Sequence, residues 1–289
     1  MASTTAAEGP QNSPFTRLVV GAMRTLYPEE LADRAWDNVG LLLGNIDPNG
    51  QKTLGLDVTP ENKTVLLTND LSPRVAQEAV DRKASVVVSY HPFIFRGLKS
   101  IDLKDPQQQI LLQLAQKNIA VYCPHTAVDA VPGGLNDWLI DIISGSTQQD
   151  QARSVVQPIS SAAPAEGLGG LKHVMVAAPK QPAVSTRTVR SAAVCAGSGW
   201  DVLKSAPVDV LVTGEMTHHN ALRATMEGKV VITVFHSNSE RAYLKQRMQP
   251  ALEAELRKAD AGAQVLVSTE DADPFEIWDV ESLSAGTTS

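Results

Sequence analysis

The sequence predicts an α/β protein built as two α/β lobes with mainly parallel sheets. Short runs rich in Val, Ile and Leu alternate with stretches of helical period along most of the chain. That is the βαβα order in which helices cover a parallel sheet. The alternation breaks once, over a Gln-, Ser-, Ala-, Pro- and Gly-rich stretch near the middle, and then resumes with similar make-up. Hydrophobic residues are 43% and charged residues 20% of a 289-residue chain, the balance of a globular protein of one large or two ordinary domains.

Residues 1–14, MASTTAAEGPQNSP, are small and polar, with neither the apolar segment of a secretory signal nor the arginines of a transit peptide, and read as a flexible tail. Phe15, Leu18, Val19, Ala22 and Leu26 recur at helical spacing, so 15–26 is expected to be an amphipathic helix. In WDNVGLLLG (36–44), Asp37, Asn38 and Gly40 interrupt an apolar stretch. Strands are expected at 64–69, 85–90 and 119–123, each followed by a helix, at 73–81, 106–117 and 135–143. These elements make an N-terminal lobe over 15–145. Residues 146–170 read as a linker or irregular excursion. In the C-terminal lobe, 171–280, strands are expected at 173–178, 191–196, 208–213, 230–235 and 264–268, with helices at 218–227 and 239–260. Residues 281–289 read as a second tail.

Composition excludes several classes of function. Acidic residues outnumber basic ones 32 to 25, giving a net charge of −7, and there is no Lys/Arg block, so direct nucleic-acid binding is not expected. No apolar run reaches the roughly 18–20 residues that cross a bilayer, so no membrane partner is expected. Cys123 and Cys195 form no disulfide framework, which favours a reducing compartment. The reading is cytoplasmic, with mitochondrion and nucleus left open. Aromatic residues are only 4%, so the core must be aliphatic.

The six histidines carry the chemistry. His91, His125 and His236 follow predicted strands directly or nearly so, and His218 and His219 come a few residues after another. Ligands gather at the carboxyl ends of parallel strands, where loops converge on a crevice, so these histidines suggest one shared site. His125 and His236 also open the same string, His-[Ser/Thr]-x-x-[Asp/Glu], in HTAVD (125–129) and HSNSE (236–240). Imidazole and carboxylate without thiolate suit Zn²⁺, Mn²⁺ or Fe²⁺. The competing reading is two helix capping boxes, Thr126 with Asp129 and Ser237 with Glu240, which account for the hydroxyl and the acid but not for the histidine. His173, at a strand start, reads as structural. AGSGW (196–200) reads as a tight turn, with a phosphate cradle as its alternative.

The blocks WDNVGLLLG, VVVSYHPFIFRGLKSI, VYCPHTAVDAVPGGLNDWL, AAVCAGSGWDVL, VDVLVTGEMTHHNAL and VFHSNSERAYL together resemble the Nif-three-like family (NGG-one-interacting factor three), also described as type 2 GTP cyclohydrolase homologues, and its fungal branch in particular. The resemblance implies a two-part fold sharing one metal site between its lobes, up to two divalent ions per chain (Zn, Mn or Fe), and a hexameric ring. It carries the metal ligands onto His91, Asp129, His236 and Glu240, with His125 beside them. Where the family has the first histidine of a pair, this chain has Tyr90, and a phenol is a much poorer ligand than imidazole at neutral pH. Two functions follow as expectations. One is a metal-dependent hydrolase of a nucleotide-like or phosphorylated small-molecule substrate, with Glu240 and His125 as its catalytic groups. The other is a metal-stabilised interaction protein with a protein partner, such as a transcriptional adaptor, and no catalysis.

Overall fold

The computed structural model describes residues 11–47, 62–144, 173–180 and 188–278. The expected linker over 146–170 and the tail over 281–289 lie outside the described residues. Two sheets organise the molecule. The first has five strands in the order β1-β4-β3-β2-β9, formed by β1 (Gly40–Leu43), β2 (Thr64–Thr68), β3 (Val86–Ser89), β4 (Ala120–Cys123) and β9 (Gln264–Val267). The second has four in the order β5-β8-β7-β6, formed by β5 (Met175–Ala177), β6 (Ala192–Cys195), β7 (Val210–Thr213) and β8 (Val230–Thr233). Each sheet is parallel except for one edge strand: β1 runs antiparallel to β4, and β5 antiparallel to β8. This is the expected fold class. Strands β2, β3, β4 and β7 are buried along their whole length, as strands covered on both faces must be, which explains why they are mostly Val, Leu and Ala with no charged residue.

The helices start where local chemistry dictates. Helix α1 (Pro14–Leu26) has Pro at its first position, and the Ser13 hydroxyl accepts from the Thr16 amide at 3.1 Å. Ser13 is fully buried, so it and Pro14 belong to the fold and not to the tail in which the sequence reading left them. Helices α2 (Pro73–Asp81) and α3 (Pro106–Gln116) repeat the device, with Ser72 and Asp105 as caps. The short α4 (Thr126–Ala130) and α5 (Leu135–Ser144) follow β4, the short α6 (Trp200–Leu203) follows β6, and α7 (His218–Met226) follows β7.

The chain's last segment departs from the sequence reading. The expected continuous helix over 239–260 is divided into α8 (Arg241–Tyr243), a π-helical turn (Leu244–Met248) and α9 (Gln249–Arg257). Pro250 cannot donate to a carbonyl in the preceding turn, and the wider turn sits where that bond is missing. Strand β9, which the reading grouped with the second half, pairs in parallel with β2 of the first sheet. Tyr243, Leu244, Met248, Leu252, Leu256 and Val265 then bury in one core with Phe15, Val19, Met23, Leu135 and Trp138. The first sheet is therefore completed by residues from the far end of the chain. The two units are also tied at the turn after β6, where the Ala196 amide donates to Asn136 Oδ1 on α5 at 2.8 Å.

Candidate metal centre

The loops after β3 and β8 bring His91 and His236 together, their ring centroids 5.2 Å apart. Glu240 lies beneath both, 2% exposed. Its Oε2 is 3.3 Å from His91 Nε2 and its Oε1 is 3.5 Å from His236 Nε2. One ligand atom from each of His91, His236 and Glu240 falls within 4.8 Å of the others, a group able to hold a metal ion.

Each imidazole is oriented from behind. His91 Nδ1 is 2.8 Å from Asp70 Oδ1, and His236 Nδ1 is 3.0 Å from Glu215 Oε1. A carboxylate at Nδ1 fixes the proton there, so the neutral ring carries its lone pair on Nε2. At His91 the consequence is explicit. Its Nε2 is buried and has no hydrogen-bond partner among the described residues, although a Glu240 oxygen is close. In the neutral ring the Nε2 lone pair would face a carboxylate oxygen, an arrangement relieved by a cation between them, whether a metal ion or a proton. Ligand atoms about 2.1 Å from a tetrahedral ion stand about 3.4 Å apart, close to the spacing of each imidazole from its own Glu240 oxygen. Burial opposes a charged His91, but the carboxylates of Asp70 and Glu240 outweigh it and push its pKa up to about 10, so the pocket attracts positive charge even as a proton.

His125 repeats the pattern without joining the group. Its Nδ1 is 2.7 Å from Asp37 Oδ1, and its ring centroid is 5.5 Å from that of His91. Burial would raise the Asp37 carboxyl, but bonds to His125 and Thr126 hold it below the usual range. The His125 backbone has φ +29°, and Phe235, just before His236, has φ +69°. Non-glycine residues pay about 1–3 kcal/mol for such conformations, a cost that gathers at functional sites. Asp129 stands outside the three-residue group. Its Oδ1 accepts from the Tyr90 hydroxyl at 2.6 Å. Burial pushes its pKa up to about 6; the Tyr90 bond acts against this, and the Glu240 charge adds to it. The Tyr90 phenol is driven well above its ordinary value, first by burial and then by the charges of Asp129 and Glu240, and stays a donor.

Neither capping box of the competing reading forms. His125, not Thr126, precedes α4, and the Thr126 hydroxyl bonds Asp37. Ser237 donates to Asp273 Oδ2 at 2.8 Å, and Glu240 is turned inward to the histidines. The turn at 196–200 is no phosphate cradle, because its Gly197 and Gly199 amides donate to Ser239 Oγ and Thr213 Oγ1 at 3.0 and 2.9 Å. His218 and His219 are exposed at the start of α7 (His218–Met226), stacked edge to face on each other. His173 is exposed ahead of β5. The sequence reading missed Asn69, Asp70 and Glu215. The first two follow β2 directly, so the strand-end rule applied to histidines would have found them had it been applied to every polar residue.

The fold and these donors define a class: an α/β protein of two mainly parallel sheets with a candidate His/Glu metal-binding group at strand ends. Residues 16–274 match the family described as Duf34/NIF3 (NGG1p interacting factor 3), and the chain belongs to that family. It is 40% identical over 276 residues to "Protein NIF3 homolog" of Schizosaccharomyces pombe, covering 88% of this chain and 94% of that protein. It is 36% identical over 287 residues to "NGG1-interacting factor 3" of Saccharomyces cerevisiae, covering 90% and 96%. Among solved structures, a Bacillus cereus protein related to NIF3 superposes with a TM-score of 0.70 at 19% identity, covering 94% of this chain and 100% of that one. That likeness bears on the fold alone.

Proposed function

We propose that the chain is a divalent-metal-dependent hydrolase acting on a nucleotide-like or phosphorylated substrate. The observation that carries the reading is the buried, unpartnered Nε2 of His91 facing Glu240, with the His236 Nε2 on the carboxylate's other oxygen. His91, His236 and Glu240 would hold the ion. Zn²⁺, Mn²⁺ or Fe²⁺ held there would supply Lewis-acid activation of water and of the centre it attacks. Glu240 orients the donors, and His125, held by Asp37, is the group that moves a proton. Asp129 serves a second, weaker position, which its bond from Tyr90 opposes. GTP ring opening is the specific reaction to try first.

The test pairs elemental analysis of the purified protein with a metal-by-substrate panel. The expected result is one tightly held divalent ion per chain, activity that a chelator removes, and formate released from GTP. Protein reconstituted with each of the three metals that releases no formate rules out GTP ring opening, and protein that takes up no ion overturns the metal reading.

A second reading has its own support. The S. cerevisiae relative is named for an interaction with NGG1, so a protein partner without catalysis is the alternative. A His236→Ala/Glu240→Ala double variant separates the two, because an interaction protein with dispensable metal keeps its partner and its cellular role. Oligomeric state is open to direct measurement, and a hexamer is what the family resemblance implies.

A further inference from the structure

Asn69 directly follows β2 beside the metal group and is fully buried. Its Nδ2 is 3.1 Å from Glu240 Oε2, 3.4 Å from His91 Nδ1 and 3.5 Å from Asp70 Oδ2. The two carboxylate acceptors at that end of the amide fix its orientation, since the reverse would set the carbonyl oxygen against both. The Asn69 backbone amide, bonded to Asp271 Oδ2 at 3.0 Å, anchors the residue from the other side. Its Oδ1 is buried and has no hydrogen-bond partner among the described residues.

A buried acceptor left open costs about 1–3 kcal/mol, so its persistence calls for a donor the free chain does not supply. We propose that Asn69 is a positioning residue of this centre, and that its open oxygen selects for a ligand bearing an N–H or O–H. Through Nδ2 it locks Glu240 so that one carboxylate oxygen faces each imidazole. Through Oδ1 it would accept from an N–H or O–H of a ligand bound beside the ion. The inference rests on the metal reading above and deepens it to a class of ligand.

Two near-isosteric variants separate the halves. Asn69→Leu removes donor and acceptor, while Asn69→Asp removes the donor and keeps an acceptor. Co²⁺ titration followed by visible absorption reads the lock. Both variants are expected to change the absorption spectrum, and Asn69→Leu to bind Co²⁺ about 10–100-fold more weakly, the usual effect of losing a group that orients a ligand. Binding of acetohydroxamate, which carries an N–H, against acetate reads the acceptor. The preference for the hydroxamate should fall about tenfold in Asn69→Leu and persist in Asn69→Asp. Wild-type affinity, spectrum and preference in a folded Asn69→Leu protein would overturn the proposal. If the wild-type protein takes up no Co²⁺, the metal reading fails by itself. The lock is then read by the Asn69 side-chain amide resonances, whose slow solvent exchange must be lost in Glu240→Met, which has no oxygen acceptor there, for it to stand.

Discussion

At the scale of single residues, the centre depends on the close fit around Glu240. Gly197 has φ +56°, and a Cβ there would stand 3.0 Å from both Glu240 Oε1 and His236 Nε2. Gly197→Ala therefore meets two penalties, about 1 kcal/mol of backbone strain and displacement of two donors. Calorimetry with Zn²⁺ should show affinity lowered at least about tenfold, with only a small fall in melting temperature. Tyr90→His tests the other flank. It removes the hydroxyl that occupies Asp129 Oδ1 and adds an imidazole, so metal content should rise from one ion toward two. The metal-free His91 holds a proton up to about pH 10, so metal uptake at neutral pH should release protons, and apparent affinity should increase with pH until that value.

Among the elements, the turn following β9 is held by Glu78 of α2. Its carboxylate accepts from the Thr269 amide at 3.1 Å and hydroxyl at 2.9 Å, from the Glu270 amide at 3.3 Å and from Ser268 Oγ, and it pairs with Arg82 at 2.9 Å. Burial would raise this carboxyl, but the bonds from Ser268, Thr269 and Glu270 hold it below the usual range. A carboxyl lowered in the folded state adds stability above its unfolded pKa of about 4.3, and that stability is lost as pH falls through the folded value. Glu78→Gln should cost about 1–3 kcal/mol in urea unfolding at pH 7, with the difference from wild type shrinking below about pH 4. A constant difference across that range would show that the ionised form is not what matters. Individual elements were largely legible in the sequence, because α1, α2 and α3 each announce themselves with a cap, a proline and an apolar period. Strand β1 was not recognised, since it starts at Gly40 with φ +111° and the three leucines after it carry no alternation of their own. The π-helical turn was hidden because an apolar period of about 3.6 continues across it.

For the molecule as a whole, the pairing that mattered most was invisible to a linear reading. Nothing local in QVLVS says that it joins a strand from the opposite end of the chain, since parallel partners are chosen by the assembled core. His91, His236 and Glu240 were legible because strand ends and a repeated string marked them, whereas their supports Asp70 and Glu215 come from other turns. The crossing has a measurable result. Residues 1–145 alone lack β9 and the large side chains of α8, α9 and the π-helical turn, whose burial is worth on the order of 10 kcal/mol. That equals a typical domain's whole stability. The fragment should therefore show a collapsed amide spectrum by NMR, and co-expression with 171–289 should restore dispersion. A well-dispersed spectrum from 1–145 by itself would refute this.

The late arrival of β9 also bears on how the protein is made. Leu67 leaves the ribosome about 200 residues before its neighbour Val267, so at ordinary elongation rates one flank of β2 waits about 10–40 s for its covering. During that interval a nascent chain carries an open strand edge, the feature that recruits chaperones and promotes aggregation. Truncated translation products of this gene would be degraded or insoluble, and only a finished polypeptide can assemble the pocket.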